Sequence, residues 1–267
     1  PSLAQARPRP VKQKVLDNSY RPAGKLARAF KRFVPLKLRR TALVRKLHNK
    51  IKGLKPDLVV VSDLHIGEGK IGPQRAYSAL EDFRVHKHFD KFTSYLVKRQ
   101  ERTGRKMDFV LAGDTLDFLK VQTPPNGKSW PTDRKDIHTA PSEAVAVLKA
   151  QRIVEAHPGF FASLGKMIQA GHKVVLLPGN HDQELQFKGV QEVLRRAMLD
   201  HAPGASSSQV KFNGWLHVVG KAMVEHGHRY DSINNMSSQL HPFTKVNSET
   251  RLRSAAGSYM VNQVVNP

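Results

Sequence analysis

The stretch Leu58-Val59-Val60-Val61-Ser62-Asp63-Leu64-His65 decides the fold, because an apolar run of strand length ends abruptly in polar side chains. The apolar runs at residues 109–112 and 174–177 repeat this design. Short runs rich in Val and Leu are typical of buried strands. The sequence therefore predicts three buried strands that each lead directly into polar residues.

Helical spacing of apolar residues separates these strands. Residues 78–101 and 142–170 show it, and residues 216–224 predict a hairpin that turns near Gly220. Helices that alternate with buried strands predict an α/β fold.

The polar residues after the strands are of the types that bind divalent metals. Ligands of an open α/β sheet bind outside the carboxyl ends of its strands, so we expect these blocks to share one site. Along an extended strand end, Asp63 and His65 would face the same way. Carboxylate, imidazole and amide oxygen together suit Mn, Fe, Zn, Co or Ni better than Ca. The four blocks are Asp63 with His65, Asp114 with Asp117, Asn180-His181-Asp182, and Glu225-His226-Gly227-His228.

The order and spacing of these blocks resemble the calcineurin-like metallophosphoesterase superfamily, over a region from about Leu58 to Asp231. The resemblance implies a four-layer α/β/β/α sandwich with the metal site at the strand ends. The block order is similar to that of bacterial UDP-2,3-diacylglucosamine hydrolases of lipid A synthesis. Those enzymes carry His-Gly-Asp where this chain has the block from Glu225 to Asp231.

The resemblance also implies a ligand set for two divalent cations. Asp63 and His65 would bind the first metal, Asp114 would bridge both, and Asn180 and His226 would bind the second. Mn, Fe, Zn, Co and Ni are the cations this family implies here.

By the same resemblance, Asn180 and His181 would contact the substrate phosphate. His181, oriented by Asp117, would protonate the leaving oxygen or stabilise its charge. The implied enzyme is a metal-dependent phosphoesterase. It would hydrolyse a phosphomonoester, phosphodiester or pyrophosphate, small or lipid-linked, by attack of a metal-bound hydroxide.

The chain departs from the family at the final Gly-His-x-His block, because Gly227-His228-Arg229-Tyr230 has Tyr in place of the second His. Two explanations stay open. The block lies beyond Pro267, or His226 and His228 serve as the final pair in a reduced site. His228 is accordingly expected either to be a ligand or to lie next to the ligands. Whether this chain holds a second metal depends on which explanation is right.

The positive charge is concentrated at one end of the chain. Lys and Arg total 44 against 22 Asp and Glu, a net charge of +22, and residues 1–55 carry 17 basic residues and one acid. We name residues 1–55 the basic leader and expect residues 56–267 to form the phosphoesterase domain, truncated if the last block lies beyond Pro267. Apolar residues in the leader predict two short amphipathic helices. These residues are Leu26, Phe30 and Phe33, then Leu43, Leu47, Ile51 and Leu54.

Three roles for the basic leader stay open. It binds an anionic membrane surface, it binds nucleic acid, or its apolar stripe packs on the domain while the charges are solvated. The location expected is cytoplasmic, at the membrane periphery if the first role holds. The alternative function is a catalytically weak or silent phosphoesterase-like domain that the leader recruits to membrane or nucleic acid.

Two other classes of function are excluded or disfavoured. The chain has no Cys, which excludes disulfide scaffolds, Cys-based zinc sites and thiol catalysis. Residues 67–72 spell Gly-x-Gly-x-x-Gly after a strand, but Pro73 follows where a dinucleotide-binding helix would begin. A loop at the rim of the site is the better interpretation of this stretch.

Overall fold

The computed structural model describes residues 56–71, 76–131, 140–235 and 241–261. The basic leader, with the two helices predicted in it, lies outside the described residues. The described strands are β1 (Asp57–Val61), β2 (Lys70–Ile71), β3 (Ala76–Tyr77), β4 (Met107–Ala112), β5 (Lys173–Leu177), β6 (Val210–Phe212), β7 (His217–Val219), β8 (Ala222–Val224), β9 (Phe243–Val246) and β10 (Glu249–Leu252). The described helices are α1 (His86–Thr103), α2 (Glu143–Ala156), α3 (Pro158–Gln169), α4 (Lys188–Leu199) and α5 (Ala256–Met260).

A four-stranded parallel sheet lies at the centre, in the order β1-β4-β5-β6. The three predicted strands are β1, β4 and β5, and the predicted hairpin is β7–β8 with its turn at Gly220. The α/β fold class is therefore confirmed. Strand β6 was not predicted, and it takes the fourth place in the parallel sheet.

The helices differ from the prediction at two points. Helix α1 begins at His86, so the predicted helical stretch from residue 78 starts as a loop. The stretch 142–170 is two helices, because Pro158 has no backbone N–H to continue α2 and instead begins α3. Helix α1 ends where Gly104 adopts the left-handed conformation that closes many helices.

The two faces of the parallel sheet have different partners. Side chains such as Phe109 and Val174 point to one face, where they join the main core with residues of α1 to α4. The alternate residues Val110 and Val175 point to the other face, where Val224 of β8 packs against their cluster. The described residues thus show an α/β/β arrangement, three of the four layers that the resemblance implies.

A buried contact between two polar side chains joins the hairpin β7–β8 to the sheet. His217 of β7 contacts Asp108 of β4, with 2.9 Å between Nε2 and Oδ2, and Asn213 contacts the other ring nitrogen at 3.2 Å. The hairpin thus contacts β4 near its amino end, and His226, which follows β8, contacts the carbonyl of Ala112 at the carboxyl end of β4. None of the described helices is long and apolar enough to span a membrane.

Candidate metal centre

The first two polar blocks are joined by backbone hydrogen bonds beyond the ends of their strands. The N–H of Asp63 donates to the carbonyl of Gly113 (3.2 Å), and the N–H of His65 donates to the carbonyl of Asp114 (2.9 Å). Asp117 closes the arrangement by donating its N–H to the carbonyl of Ile66 (2.8 Å). The loops after β1 and β4 therefore hold their side chains in a fixed relative position.

Three predicted metal ligands have left-handed backbones, with φ of 57° for Asp63, 47° for His65 and 49° for Asp114. The expectation of an extended strand end at Asp63 and His65 is therefore wrong, because β1 ends at Val61 and the chain then turns. Positive φ is unfavourable for residues with a side chain and concentrates at functional sites. The strain marks this loop pair as a site where position matters more than local stability.

The first cluster consists of Asp63, Asp114 and His226, whose potential ligand atoms all lie within 4.8 Å of one another. His226 donates from Nδ1 to the carbonyl of Ala112 at 2.9 Å, which leaves Nε2 to face the Asp114 carboxylate at 3.4 Å. Burial alone lowers the pKa of His226, but Asp114 raises it to about 9. The Asp114 carboxylate thus favours positive charge beside His226 Nε2.

The second cluster consists of His65, Asp117 and His181, again with potential ligand atoms within 4.8 Å. Oδ2 of the fully buried Asp117 lies 3.0 Å from Nδ1 of His65 and 3.0 Å from Nδ1 of His181. Because Asp117 takes the Nδ1 atoms, both rings have Nε2 left for a ligand. His65 Nε2 lies 3.9 Å from Oδ2 of Asp114, so the two clusters meet at Asp114.

The electrostatics of the second cluster follow from this shared carboxylate. Burial would raise the pKa of Asp117, but hydrogen bonds from His181 and His65 hold it well below its usual range. Burial would lower the pKa of His181, but Asp117 raises it. The ammonium of Lys120 lies 3.3 Å from Asp117 and also pairs with Asp82. Asp117 is therefore anionic, and it favours a protonated His181.

Asp182, the last residue of the third block, organises the loop of Asp114. Its fully buried carboxylate accepts backbone N–H groups from Gly179 (2.6 Å), Asp114 (3.2 Å), Thr115 (2.9 Å) and Leu116 (3.2 Å). Burial and the neighbouring Asp114 raise the pKa of Asp182 to about 7. The sequence motif includes Asp182, but its role as a backbone anchor was not predicted.

Two glycines are required by the close approach of site residues. A Cβ at Gly113 would overlap the ring of His226, and a Cβ at Gly179 would overlap the carboxylate of Asp114. Gly113 also has a φ of 85°, which favours glycine. The glycines of the Gly-Asp and Gly-Asn pairs in the motif thus leave room for the side chains that converge here.

The structure places Asn180 and His228 at the edge of these clusters. The side-chain nitrogen of Asn180 donates to Oδ1 of Asn234 at 3.4 Å, a bond that does not occupy the amide oxygen. The His228 ring lies 5.3 Å from the His226 ring, but its Nε2 contacts Gln183 at 3.1 Å inside the protein. His226 therefore faces the site directly, and His228 packs behind it.

The glycine-rich loop after His65 has its amides occupied by a buried carboxylate. Oε2 of Glu81 accepts the N–H groups of Gly67 (3.2 Å) and Gly69 (2.7 Å) and lies 3.2 Å from Nε2 of His157. Backbone amides bound in this way cannot cradle a nucleotide phosphate, which supports the interpretation of a rim loop. Sequence reasoning missed Glu81, because nothing in its local pattern separates it from a surface acid.

One of three comparisons with known proteins found a match. A model of the calcineurin-like phosphoesterase family matches residues 56–258, more than half of the chain. A search of curated proteins and a search of solved structures each found no significant match. The match covers β1, the loops of both clusters and the hairpin that delivers His226. On this basis, the chain belongs to the calcineurin-like phosphoesterase family.

Proposed function

We propose that this protein is a metal-dependent hydrolase of phosphoric esters, with its centre at the meeting point of the two clusters. The observation that carries the proposal is the position of Asp114. Its Oδ2 atom lies 3.4 Å from Nε2 of His226 and 3.9 Å from Nε2 of His65, so both clusters share this one oxygen. A single carboxylate between two sets of nitrogen and oxygen donors is suited to bridging a pair of cations.

The residues present fit a divalent metal. Asp114, Asp117 and Asp182 are all buried, at 4%, 0% and 0% exposure, and Asp63 adds a fourth carboxylate. Carboxylate and imidazole donors grouped in this way suit a divalent cation such as Mn, Fe, Zn, Co or Ni. Asp117 behind His65 also matches the carboxylate that commonly orients a metal-binding histidine. We therefore assign Asp63, His65, Asp114, Asn180 and His226 as the residues that would hold two divalent cations.

When bound, divalent cations would supply an acidified water as nucleophile and neutralise charge on the phosphoryl oxygens. The chain's own contribution is to position groups and move a proton. His181 has its Nδ1 fixed by Asp117, which directs Nε2 away from that carboxylate. Because Asp117 favours the protonated ring, His181 is suited to donate a proton from Nε2 to the leaving oxygen.

The substrate class within this proposal is a phosphomonoester, a phosphodiester or a pyrophosphate, and the amide of Asn180 would contact its phosphate. Purified protein treated with EDTA should not hydrolyse p-nitrophenyl phosphate or bis-p-nitrophenyl phosphate, and Mn²⁺ should restore hydrolysis of at least one. Loss of a residue that only supports a metal ligand reduces activity by about 10- to 100-fold. Asp114→Ala should reduce this activity by more than that.

Asp200→Ala is the matched control, because Asp200 is an exposed aspartate at the end of α4. It should retain the activity of the unaltered protein. Hydrolysis that survives both EDTA and Asp114→Ala would exclude this centre as the active site.

A further inference from the structure

A chain of three polar side chains connects the surface to Asn180. Oδ2 of Asp231 accepts a hydrogen bond from Nδ2 of Asn234 at 3.0 Å. Oδ1 of Asn234 in turn accepts one from Nδ2 of Asn180 at 3.4 Å. The series runs from a carboxylate through one amide to a second amide.

The carboxylate sets the direction of both amides. An ionised carboxylate only accepts hydrogen bonds, so Asn234 must turn its nitrogen toward Asp231 and its oxygen toward Asn180. Asn180 must then turn its nitrogen toward Asn234. The amide oxygen of Asn180 consequently points away from Asn234, which matters because oxygen is the amide atom that binds metal cations.

The loop that carries Asn234 is fixed by its own contacts. Asp231 also accepts the backbone N–H of Ile233 at 2.8 Å, and the N–H of Gly257 donates to the carbonyl of Ile233 at 2.9 Å. A Cβ at Gly257 would overlap Oδ1 of Asn234. The hydroxyl of Ser258 donates to the backbone carbonyl of Asn180 at 3.3 Å. The start of α5 therefore packs against both asparagines.

We propose that Asn234, aligned by Asp231, is a positioning residue that holds the amide of Asn180 with its oxygen toward the metal centre. The inference rests on the proposed function, because it requires Asn180 to be a metal ligand. Asn234 acts only through Asn180 and contacts neither metal nor substrate.

The test measures Mn²⁺ binding by isothermal titration calorimetry, with electron paramagnetic resonance of free Mn²⁺ as a second readout. We compare the full chain with Asn180→Ala, Asn234→Ala and the double variant. Asn235→Ala is the matched control, because Asn235 is the exposed neighbour in the same loop. Thermal unfolding of each variant confirms that it is folded.

Asn234→Ala should weaken one Mn²⁺ equivalent by about 10- to 100-fold, as loss of an outer partner of a metal ligand does. Asn180→Ala should weaken the same equivalent, and the double variant should bind no worse than Asn180→Ala alone. Asn235→Ala should bind as the unaltered chain does. Gly257→Ala, which displaces the Asn234 oxygen, should reproduce the Asn234→Ala defect.

Distinct results overturn the inference and the function on which it rests. Unchanged Mn²⁺ binding in Asn234→Ala, or losses that add in the double variant, overturns the positioning role while Asn180 remains a ligand. Unchanged binding in Asn180→Ala overturns both that ligand assignment and the positioning role. Failure of the unaltered chain to bind Mn²⁺ overturns the proposed function together with the inference.

Discussion

Asp117 shows how one buried carboxylate can assign different tasks to two similar residues. Its Oδ2 atom lies 3.0 Å from both His65 and His181, whose rings meet edge to face with centroids 4.7 Å apart. His65 comes from the loop that also carries Asp63, and its Nε2 faces Asp114. His181 follows Asn180 along the chain, and Asp117 contacts its Nδ1 rather than its Nε2. Under the proposed function, the same contact would orient a metal ligand in one case and a proton donor in the other.

The proton-donor role of His181 predicts a dependence on the leaving group. His181→Ala should slow hydrolysis of phenyl phosphate by about 10²- to 10⁴-fold, because a poor leaving group needs a proton from a general acid. The loss should be much smaller for 2,4-dinitrophenyl phosphate, which departs without one. The measurement is kcat/KM for both esters with Mn²⁺.

Asp117→Asn provides the comparison, since it alters both histidines at once. It should reduce Mn²⁺ affinity by about 10- to 100-fold through His65, whereas His181→Ala should leave that affinity unchanged. Equal losses of His181→Ala on both esters would contradict the assignment of His181 as the general acid.

The close approach of Gly179 to Asp114 predicts a second effect at the residue scale. Gly179→Ala places a Cβ within the carboxylate of Asp114, so Asp114 must move and Mn²⁺ binding should weaken by at least about tenfold. Gly159→Ala is the control, because a Cβ there meets nothing within 4 Å and the residue lies in α3. That control should be neutral or stabilise the protein by up to about 1 kcal/mol. Calorimetric titration with Mn²⁺ and urea unfolding measure the two effects.

At the scale of elements, the sequence predicts the strands and helices that have a strong local pattern. It does not predict the elements whose bounds depend on contacts with distant parts of the chain. The runs that became β4 and β5 are uninterrupted and apolar because both faces of these strands are buried. The run of β1 is equally apolar, but β1 lies at the edge of the sheet and exposes Val60, so the expectation that it is buried is wrong. Strand β6 was not predicted, because it has only three residues and an exposed Lys211 at its centre. Pro158 is a sequence signal for the break between α2 and α3. The start of α1 has no such signal, because tertiary hydrogen bonds to Glu81 hold the loop before it.

The site shows the same division between local and distant information. The four blocks give the ligand types, and their convergence followed from the strand-end rule for parallel sheets. The left-handed turns at Asp63 and His65 did not follow, because they result from hydrogen bonds to the loop after β4. The roles of Asp182 and Asn234 likewise depend on groups that lie far apart in the sequence.

The junction of β4 and β5 predicts a pH dependence of stability. His172, fully buried just before β5, accepts the N–H of Met107 on Nδ1 at 3.2 Å. Burial, helped by the charge of Lys106, lowers the pKa of His172 to about 4. An unfolded histidine titrates near 6.5, so between pH 6.5 and 4 the unfolded state binds more protons and stability falls as the pH falls.

At pH 5 the protons bound by the unfolded state lower the free energy of unfolding by about 2 kcal/mol. His172→Asn keeps an acceptor for Met107 but does not titrate. The free energy of unfolding in urea, measured at pH 7 and pH 5, should therefore fall less for His172→Asn than for the unaltered protein, by about 2 kcal/mol. His88→Asn, at an exposed position of α1, should show the fall of the unaltered protein. If the free energy of unfolding of His172→Asn fell as much as that of the unaltered protein, the conclusion that His172 is buried in its neutral form would be wrong.

For the whole molecule, charge and chemistry belong to different parts of the chain. The basic leader holds 17 basic residues and one acid, whereas residues 56–267 hold 27 basic and 21 acidic residues. The candidate metal centre consists of carboxylates and histidines, none of which contributes to the excess of Lys and Arg. We therefore propose that residues 56–267 perform the reaction and that the basic leader determines where the protein binds.

This division predicts that removal of the basic leader separates binding from hydrolysis. Residues 56–267 should hydrolyse a soluble p-nitrophenyl ester as the full chain does, because both clusters lie within them. The full chain should bind anionic vesicles at least about a hundredfold more tightly, since each Lys or Arg near such a surface contributes about 1 kcal/mol. Vesicle flotation and a gel shift with RNA, at low and high salt, distinguish membrane from nucleic acid. Equal binding by both chains would reject a recruiting role and favour a leader that packs on its own domain.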